Sequence, residues 1–339
     1  MIHSMLYEIL YALAASGGRE QALFGNCAPA ARKAFARSCA GNAFPEIWFE
    51  IPLLGEPRFD LHALTSRGTL DPETALPAEV CGGFPDTFRW FAHQGKNVRQ
   101  LALSWDLKPD KEPSAAIQLL VADKDPNTVR DFLQAAGRED AIKRYEAFSD
   151  RLPEGWYTCY YGVFPERPGS SLRVECIPAR SLQPAYAKDP ELLRAHLAQV
   201  GIREFGDTLL PRCRDLADTP FRLEFQFDVE EDGSAGPVMG ASLRFACPPG
   251  EDDWDFFNPD GEAGRLMDRI CEWGLADDRW RLLGDMSFAN RVKREEESCM
   301  LFCFTAFVKL RWRAGVPLDA KAYLMAGSKT TDNILQHNH

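Results

Sequence analysis

"FVKLRWRAGVPLDAKAYLMAG", residues 307–327, is the stretch on which the fold turns. Two strand-like runs flank a turn that carries Gly and Pro, and each run splits into two alternating phases, because successive strand residues point to opposite faces. Val308, Leu310 and Trp312 oppose Lys309, Arg311 and Arg313, and beyond the turn Ala322 and Leu324 oppose Lys321 and Tyr323. One face is apolar; the other gathers positive charge, which needs a reason in an acidic protein.

The rest of the chain sharpens that question. Its 339 residues carry a formal net charge of -11, so it lacks the extended basic surface that nucleic acid or an anionic membrane would require. A hydrophobic content of 45% and a charged content of 26% are those of a globular protein. No run is apolar for the roughly 20 residues of a membrane span. The opening "MIHSMLYEILYALAAS" lacks a basic leader and carries Glu8, so it reads as an amphipathic helix rather than a signal peptide. Ten cysteines without a CxxC pair fit reduced thiols in a cytoplasmic protein.

Strand pairs recur along the chain. "EIWFEIPLL" and "RFDLHALTS" flank "GEP"; "NVRQLALSWDL" and "AAIQLLVAD" flank "KPDKEPS"; "WYTCYYGVF" and "SLRVECIPA" flank "PERPGS"; "FRLEFQFDV" and "GASLRFACP" flank "EEDGSAGPVM". The pair at 301–326 is the fifth. Between pairs lie helical patterns such as "DPNTVRDFLQAAGREDAIKRYEAFSDRL", "DPELLRAHLAQVGIREFGDTLL" and "EAGRLMDRICEWGLADDRWRLLGDM"; the first two open on Asp-Pro, an N-cap followed by Pro at the first helical position. The architecture is therefore a helix-then-hairpin unit repeated five times.

The phase rule applies to every pair. Ile47, Phe49 and Ile51 oppose Trp48 and Glu50; Leu172, Val174 and Cys176 oppose Arg173 and Glu175; Leu223, Phe225, Phe227 and Val229 oppose Arg222, Glu224, Gln226 and Asp228; Leu243 and Phe245 oppose Ser242 and Arg244. The apolar phase is where helices dock. A sheet of about ten strands is near the limit of an open one, and closing it removes its edges. Closure gives an α/β architecture, a ten-stranded antiparallel barrel with helices outside, whose polar phase lines a ligand chamber. The alternative is an open sheet whose polar face meets solvent or a partner protein.

The repeated pairs, with "AKAYL" supplying Lys321 and Tyr323 and "FVKLRW" supplying Lys309 and Arg311, resemble the ABBA-type prenyltransferases, and the resemblance spans residues 5–326. It implies one barrel domain over residues 1–327, with N-terminal helices to about residue 40 closing the ring, and a disordered polar tail over 328–339. Chain length and the second unit look most like the cyanobactin-type peptide enzymes. In that family a first-strand glutamate acts as base, at a place comparable to Glu50, and basic residues and tyrosines hold the donor's diphosphate. The second pair departs from the pattern with Gln118. The resemblance implies transfer of a dimethylallyl or geranyl group from its diphosphate to a peptide side chain or small aromatic acceptor.

Such chemistry needs fixed positive charge around the leaving group, most effective where water is excluded. Arg173, Arg244, Lys309, Arg311 and Lys321, with Tyr323, are expected on the inner face. Glu175, Glu224 and Asp228 join Glu50 as inward carboxylates, and Trp48, Tyr157 and Tyr161 are candidates to shield a carbocation. Mg2+ could neutralise diphosphate charge, although no dedicated ligand cluster is visible. His62, beside Asp60, is the one histidine on a polar strand phase. GxSxG, P-loop, GxGxxG and HExxH motifs are absent. A second reading pairs the inward charges with one another, leaving a non-catalytic or differently catalytic barrel that binds a peptide or small anion.

Overall fold

The computed structural model describes residues 19–25, 46–66, 83–94, 98–107, 115–121, 125–165, 172–245, 257–294 and 297–330. Its strands are β1 (Glu46–Pro52), β2 (Asp60–Ser66), β3 (Val98–Trp105), β4 (Ala115–Val121), β5 (Trp156–Val163), β6 (Leu172–Pro178), β7 (Arg222–Val229), β8 (Ala235–Arg244), β9 (Phe288–Arg294), β10 (Glu297–Arg313) and β11 (Val316–Thr330). They run in the order β11-β1-β2-β3-β4-β5-β6-β7-β8-β10-β9, and a further β10–β11 pairing closes ten of them into an antiparallel barrel. The expected closed barrel is therefore present.

The β10–β11 hairpin turns on Ala314 and Gly315, both at positive φ (49° and 75°), as a tight primed turn demands. Gly315 also meets the loop that carries Phe205 and Gly206: a Cβ there would lie 2.4 Å from the Gly206 nitrogen. These two strands, 17 and 15 residues long, are about twice the length of most others. Their far ends extend past the barrel, where β10 also pairs with β9.

The apolar phase of the wall faces outward into the main core, as helix docking requires. The described helices are α1 (Arg19–Phe24), α2 (Pro85–Ala92), α3 (Pro126–Ala135), α4 (Ile142–Ser149), α5 (Gln183–Lys188), α6 (Pro190–Val200), α7 (Leu209–Ala217), α8 (Glu262–Glu272) and α9 (Leu282–Asp285). Phe24 of α1 packs 5.3 Å from Phe49, and Phe148 of α4 lies 6.0 Å from Phe227. Trp156 stacks on Phe225 at 5.1 Å and donates its indole N–H to Tyr186 of α5 at 2.7 Å. Asp125 caps α3 by accepting from the Asn127 N–H, as the Asp-Pro signal implies.

Several readings change. "EEDGSAGPVM", expected as the turn of the fourth pair, supplies the first half of β8, Ala235 to Met239. Residues 125–152 and 262–286 each break into shorter helices, the first where Gly137 takes φ 68° and the second where Gly274 takes φ 71°. β9 was not anticipated, because "FANRVKR" is too charged to read as a strand. β11 runs on to Thr330, into the stretch expected as a tail. The N-terminal helix expected over residues 1–16, most of the segment to residue 40 and residues 331–339 lie outside the described residues.

Candidate functional site

Inside the barrel the polar phase converges. Strand β1 delivers Glu50 directly opposite Tyr323 of β11 and Asp60 of β2. Its carboxylate receives hydrogen bonds from Lys321 and, at 2.6 Å, from the Tyr323 hydroxyl. His62 Nε2 lies 3.4 Å from the same carboxylate, while His62 Nδ1 is 2.6 Å from Ser104 Oγ. Burial alone would raise the Glu50 pKa; Lys321, the His62 contact and Lys309 outweigh it and hold the carboxyl well below its usual range. Asp60 shows the opposite balance: burial and the neighbouring Glu50 charge push it up to about 6.

The inner cations differ in how they are neutralised. Arg173 and Asp228, directly opposite across β6 and β7, form a two-pronged bond at 2.7 and 3.1 Å. Arg244 holds Glu224 at 3.0 and 3.1 Å, and Arg311 holds its cross-strand partner Asp319 at 2.7 Å. Lys321 is paired with Glu50. Lys309 instead donates to two neutral oxygens, Tyr323 Oη at 2.6 Å and Gln226 Oε1 at 3.1 Å. Burial brings its pKa down to about 8 despite the pull of Glu50 and Glu175. The expected pairing of inward charges is thus real for three arginines and one lysine, with Lys309 the exception.

Glu175 and Glu224 form a different kind of pair. Burial, and then the charge and hydrogen bond of Glu224, push Glu175 up to about 8, whereas Arg244 and that hydrogen bond overcome burial to lower Glu224. Two carboxyl groups this close share one proton rather than both ionise.

Beside this polar set lies an apolar patch on β10, β11 and β1. Phe307 stacks on Tyr323 at 4.0 Å and packs against Trp48 at 5.4 Å, and Phe302, Phe304 and Met325 extend the patch. The Arg244 guanidinium sits 5.1 Å above the Phe307 ring, and Lys309 Nζ 4.5 Å from the Tyr323 ring. Although the barrel wall surrounds them, Glu50, Arg173, Asp228 and Arg244 keep 15–26% of their side-chain surface accessible, so open space remains inside.

Two of the three aromatic candidates behave differently from Trp48. Tyr157 stays on the inner phase but accepts a hydrogen bond from Arg222. Tyr161 does not line the chamber: it is buried against α4, with Tyr145 at 5.6 Å and Thr158 Oγ1 at 2.5 Å. A β-bulge between Thr158 and Tyr160 is the cause, since one extra residue moves every later side chain to the other face. The bulge exchanges Tyr161 for Tyr160, whose hydroxyl feels burial and the Glu175 and Glu50 charges. Phe307 was legible on the Lys309 phase; Phe302 and Phe304 were not, because a second bulge lies between Thr305 and Phe307.

Among the described residues, no three His, Cys, Asp or Glu side chains are grouped so that they could hold a metal ion. The described residues therefore do not form a Mg2+ site.

No family model matches the chain, and no curated protein matches its sequence. Solved structures do match its fold. The 5-dimethylallyltryptophan synthase from Streptomyces coelicolor aligns at a TM-score of 0.55 with 13% identity, over 95% of this chain and 97% of that one. The prenyltransferase PriB aligns at 0.52 with 15% identity, over 96% of each chain. A 6-dimethylallyl tryptophan synthase aligns at 0.53 with 12% identity, over 93% and 94%. At such identities the likeness establishes the shared barrel architecture. None of these three is described as a peptide enzyme of the cyanobactin type.

Proposed function

We propose that the barrel is a prenyl-transfer chamber, in which an allylic diphosphate ionises and an aromatic acceptor captures the cation. The observation that carries this reading is the Glu50–Lys321–Tyr323–Lys309 network standing against the Trp48–Phe307 patch. Support at the level of fold comes from PriB, solved as a ternary complex with L-tryptophan and dimethylallyl thiolodiphosphate.

The residues divide the work by charge. Lys309, without a carboxylate partner, is the cation free to meet the diphosphate, and the Tyr323 hydroxyl and Lys321 lie beside it. The C–O bond of the donor breaks with its electron pair leaving on the diphosphate, where fixed cations in a water-poor chamber lower the barrier. The cation is shielded by the faces of Trp48, Phe307 and Tyr323. The acceptor forms the new bond through its π-system or heteroatom and loses a proton to Glu50. In the free protein Glu50 is a weak base because Lys321 lies against it. As the diphosphate draws Lys321 away, Glu50 becomes more basic at the moment a base is required. An indole or phenol fits this wall, and a peptide acceptor would present the same ring on a side chain.

Mass spectrometry of the protein with dimethylallyl or geranyl diphosphate and a panel of indoles, phenols and aromatic peptides tests the reading. A gain of one prenyl unit is expected, falling about 10²–10³-fold in Glu50→Gln and Lys321→Ala, the size of losing one preorganised charge contact. Absence of any product from the folded protein overturns it. The second reading, a barrel that binds a small anionic ligand without turnover, is favoured by the carboxylate pairing of Arg173, Arg244, Arg311 and Lys321, and it expects binding with the diphosphate left intact.

A further inference from the structure

Among the paired inner arginines Arg311 is the most exposed at 31%, beside an Asp319 at 21%, but Arg244 joins an accessible guanidinium, 26% exposed, to the most deeply buried partner, Glu224 at 2%. An oxyanion could reach Arg244, but taking it would strand the Glu224 carboxylate in the wall without its counter-ion, which is strongly unfavourable for a buried charge. The neighbour across β6 offers a remedy, since Glu175, 7% exposed, is hydrogen-bonded to Glu224.

We propose that the Glu175–Glu224 carboxyl pair is a proton-linked guard on an oxyanion subsite at Arg244: the ligand's phosphate oxygens replace Glu224 on the guanidinium, and the pair takes up one proton from solvent. Before binding, the pair holds one proton and one negative charge, and that charge is matched by Arg244. Afterwards the Arg244 charge is matched by the ligand and the pair holds two protons with no charge, so no carboxylate is left unpaired. The surroundings permit this. The groups facing the pair are Cys159 and Tyr160 of β5, Cys176 of β6, Arg222 of β7, Arg244 of β8 and Lys309 of β10. Burial pushes the two thiols and the phenol up, so all three stay neutral. With Arg244 engaged by the ligand, the charged groups left facing the pair are Arg222 and Lys309. The already elevated Glu175 shows that the pair readily keeps a proton near neutrality. The proposal rests on the diphosphate reading above and adds to it that donor binding is coupled to protonation.

Calorimetry with dimethylallyl thiolodiphosphate at pH 7.5, in two buffers of different ionisation enthalpy, reads the proton count directly. The wild type is expected to take up close to one proton per ligand bound. In Glu175→Gln/Glu224→Gln, which removes both acids with little change of shape, the uptake should vanish and affinity should rise about tenfold, because Arg244 is already free. Binding without proton uptake overturns the guard and leaves prenyl transfer standing. Tighter, proton-independent binding by the double variant, with no transfer by the wild type, keeps the guard and removes the prenyl-transfer reading. If the double variant binds no more tightly than the wild type, or neither binds, the guard is wrong, and circular dichroism of both proteins shows that folding is not the reason.

Discussion

Single residues in this barrel are governed by which partner each charge has. Lys309 and Lys321 lie opposite each other on β10 and β11 and are linked by three hydrogen bonds through Tyr323 and Glu50, yet Lys321 is spent on Glu50 while Lys309 is not. Lys309→Gln is therefore expected to weaken donor binding more than Lys321→Gln, by about tenfold against a few-fold, whereas Lys321→Ala acts mainly on turnover. Titration of both variants with dimethylallyl thiolodiphosphate gives the order. Glu175 has a separate consequence for stability. Its pKa is raised to about 8 on folding, so above the ordinary carboxylate range the unfolded chain releases a proton that the folded chain keeps. This contribution is complete at low pH and is lost as pH rises toward 8, at up to about 1.4 kcal/mol per pH unit. Glu175→Gln should remove that decline, so its stability relative to the wild type rises by a few kcal/mol between about pH 5 and 8, measured by urea unfolding. A difference that stays flat with pH would show that Glu175 is ionised.

At the scale of elements, alternation along a strand was the legible quantity and its interruptions were not. Glu50, Lys309, Lys321 and Tyr323 face inward as the parity of their strands implies. Tyr161 does not, because a bulge is a backbone event that "WYTCYYGV" leaves no side-chain pattern to reveal. Asp319 was hidden differently: it falls in a segment that reads as turn, and the tight Ala314–Gly315 bend together with a register shift between Arg311 and Trp312, which skips Leu318, places it opposite Arg311. Helix ends can be tested directly. Gly201 ends α6 at φ 115°, and a Cβ there would lie 2.7 Å from Ser234 Cβ and 2.8 Å from the Ala235 nitrogen at the start of β8. Gly201→Ala is expected to lower stability by about 2–3 kcal/mol through strain and this clash, against about 1 kcal/mol for loss of the Asp125 cap in Asp125→Ala. Thermal melts of the two variants settle the ranking. Phe225→Ala, which removes the ring stacked on Trp156, should cost about 3–5 kcal/mol.

For the whole molecule, the placement of charge follows from closing the sheet. Outward residues are apolar because the helices need a surface to bury against, so polar residues in the wall have only the interior to occupy. The chamber's existence was therefore readable from the chain. Its electrostatic state was not: a list of inward cations suggests a strongly positive cavity, while the cross-strand registers match Arg173 with Asp228 and Arg311 with Asp319. Lys309, by contrast, faces the neutral oxygens of Tyr323 and Gln226 rather than a cross-strand carboxylate. A crystal structure with dimethylallyl thiolodiphosphate tests this account most directly. It predicts the diphosphate inside the barrel, within hydrogen-bond reach of Lys309 Nζ and Tyr323 Oη, with the allyl group against Trp48 and Phe307. A ligand bound outside the barrel, or held inside with its diphosphate away from Lys309, would contradict it.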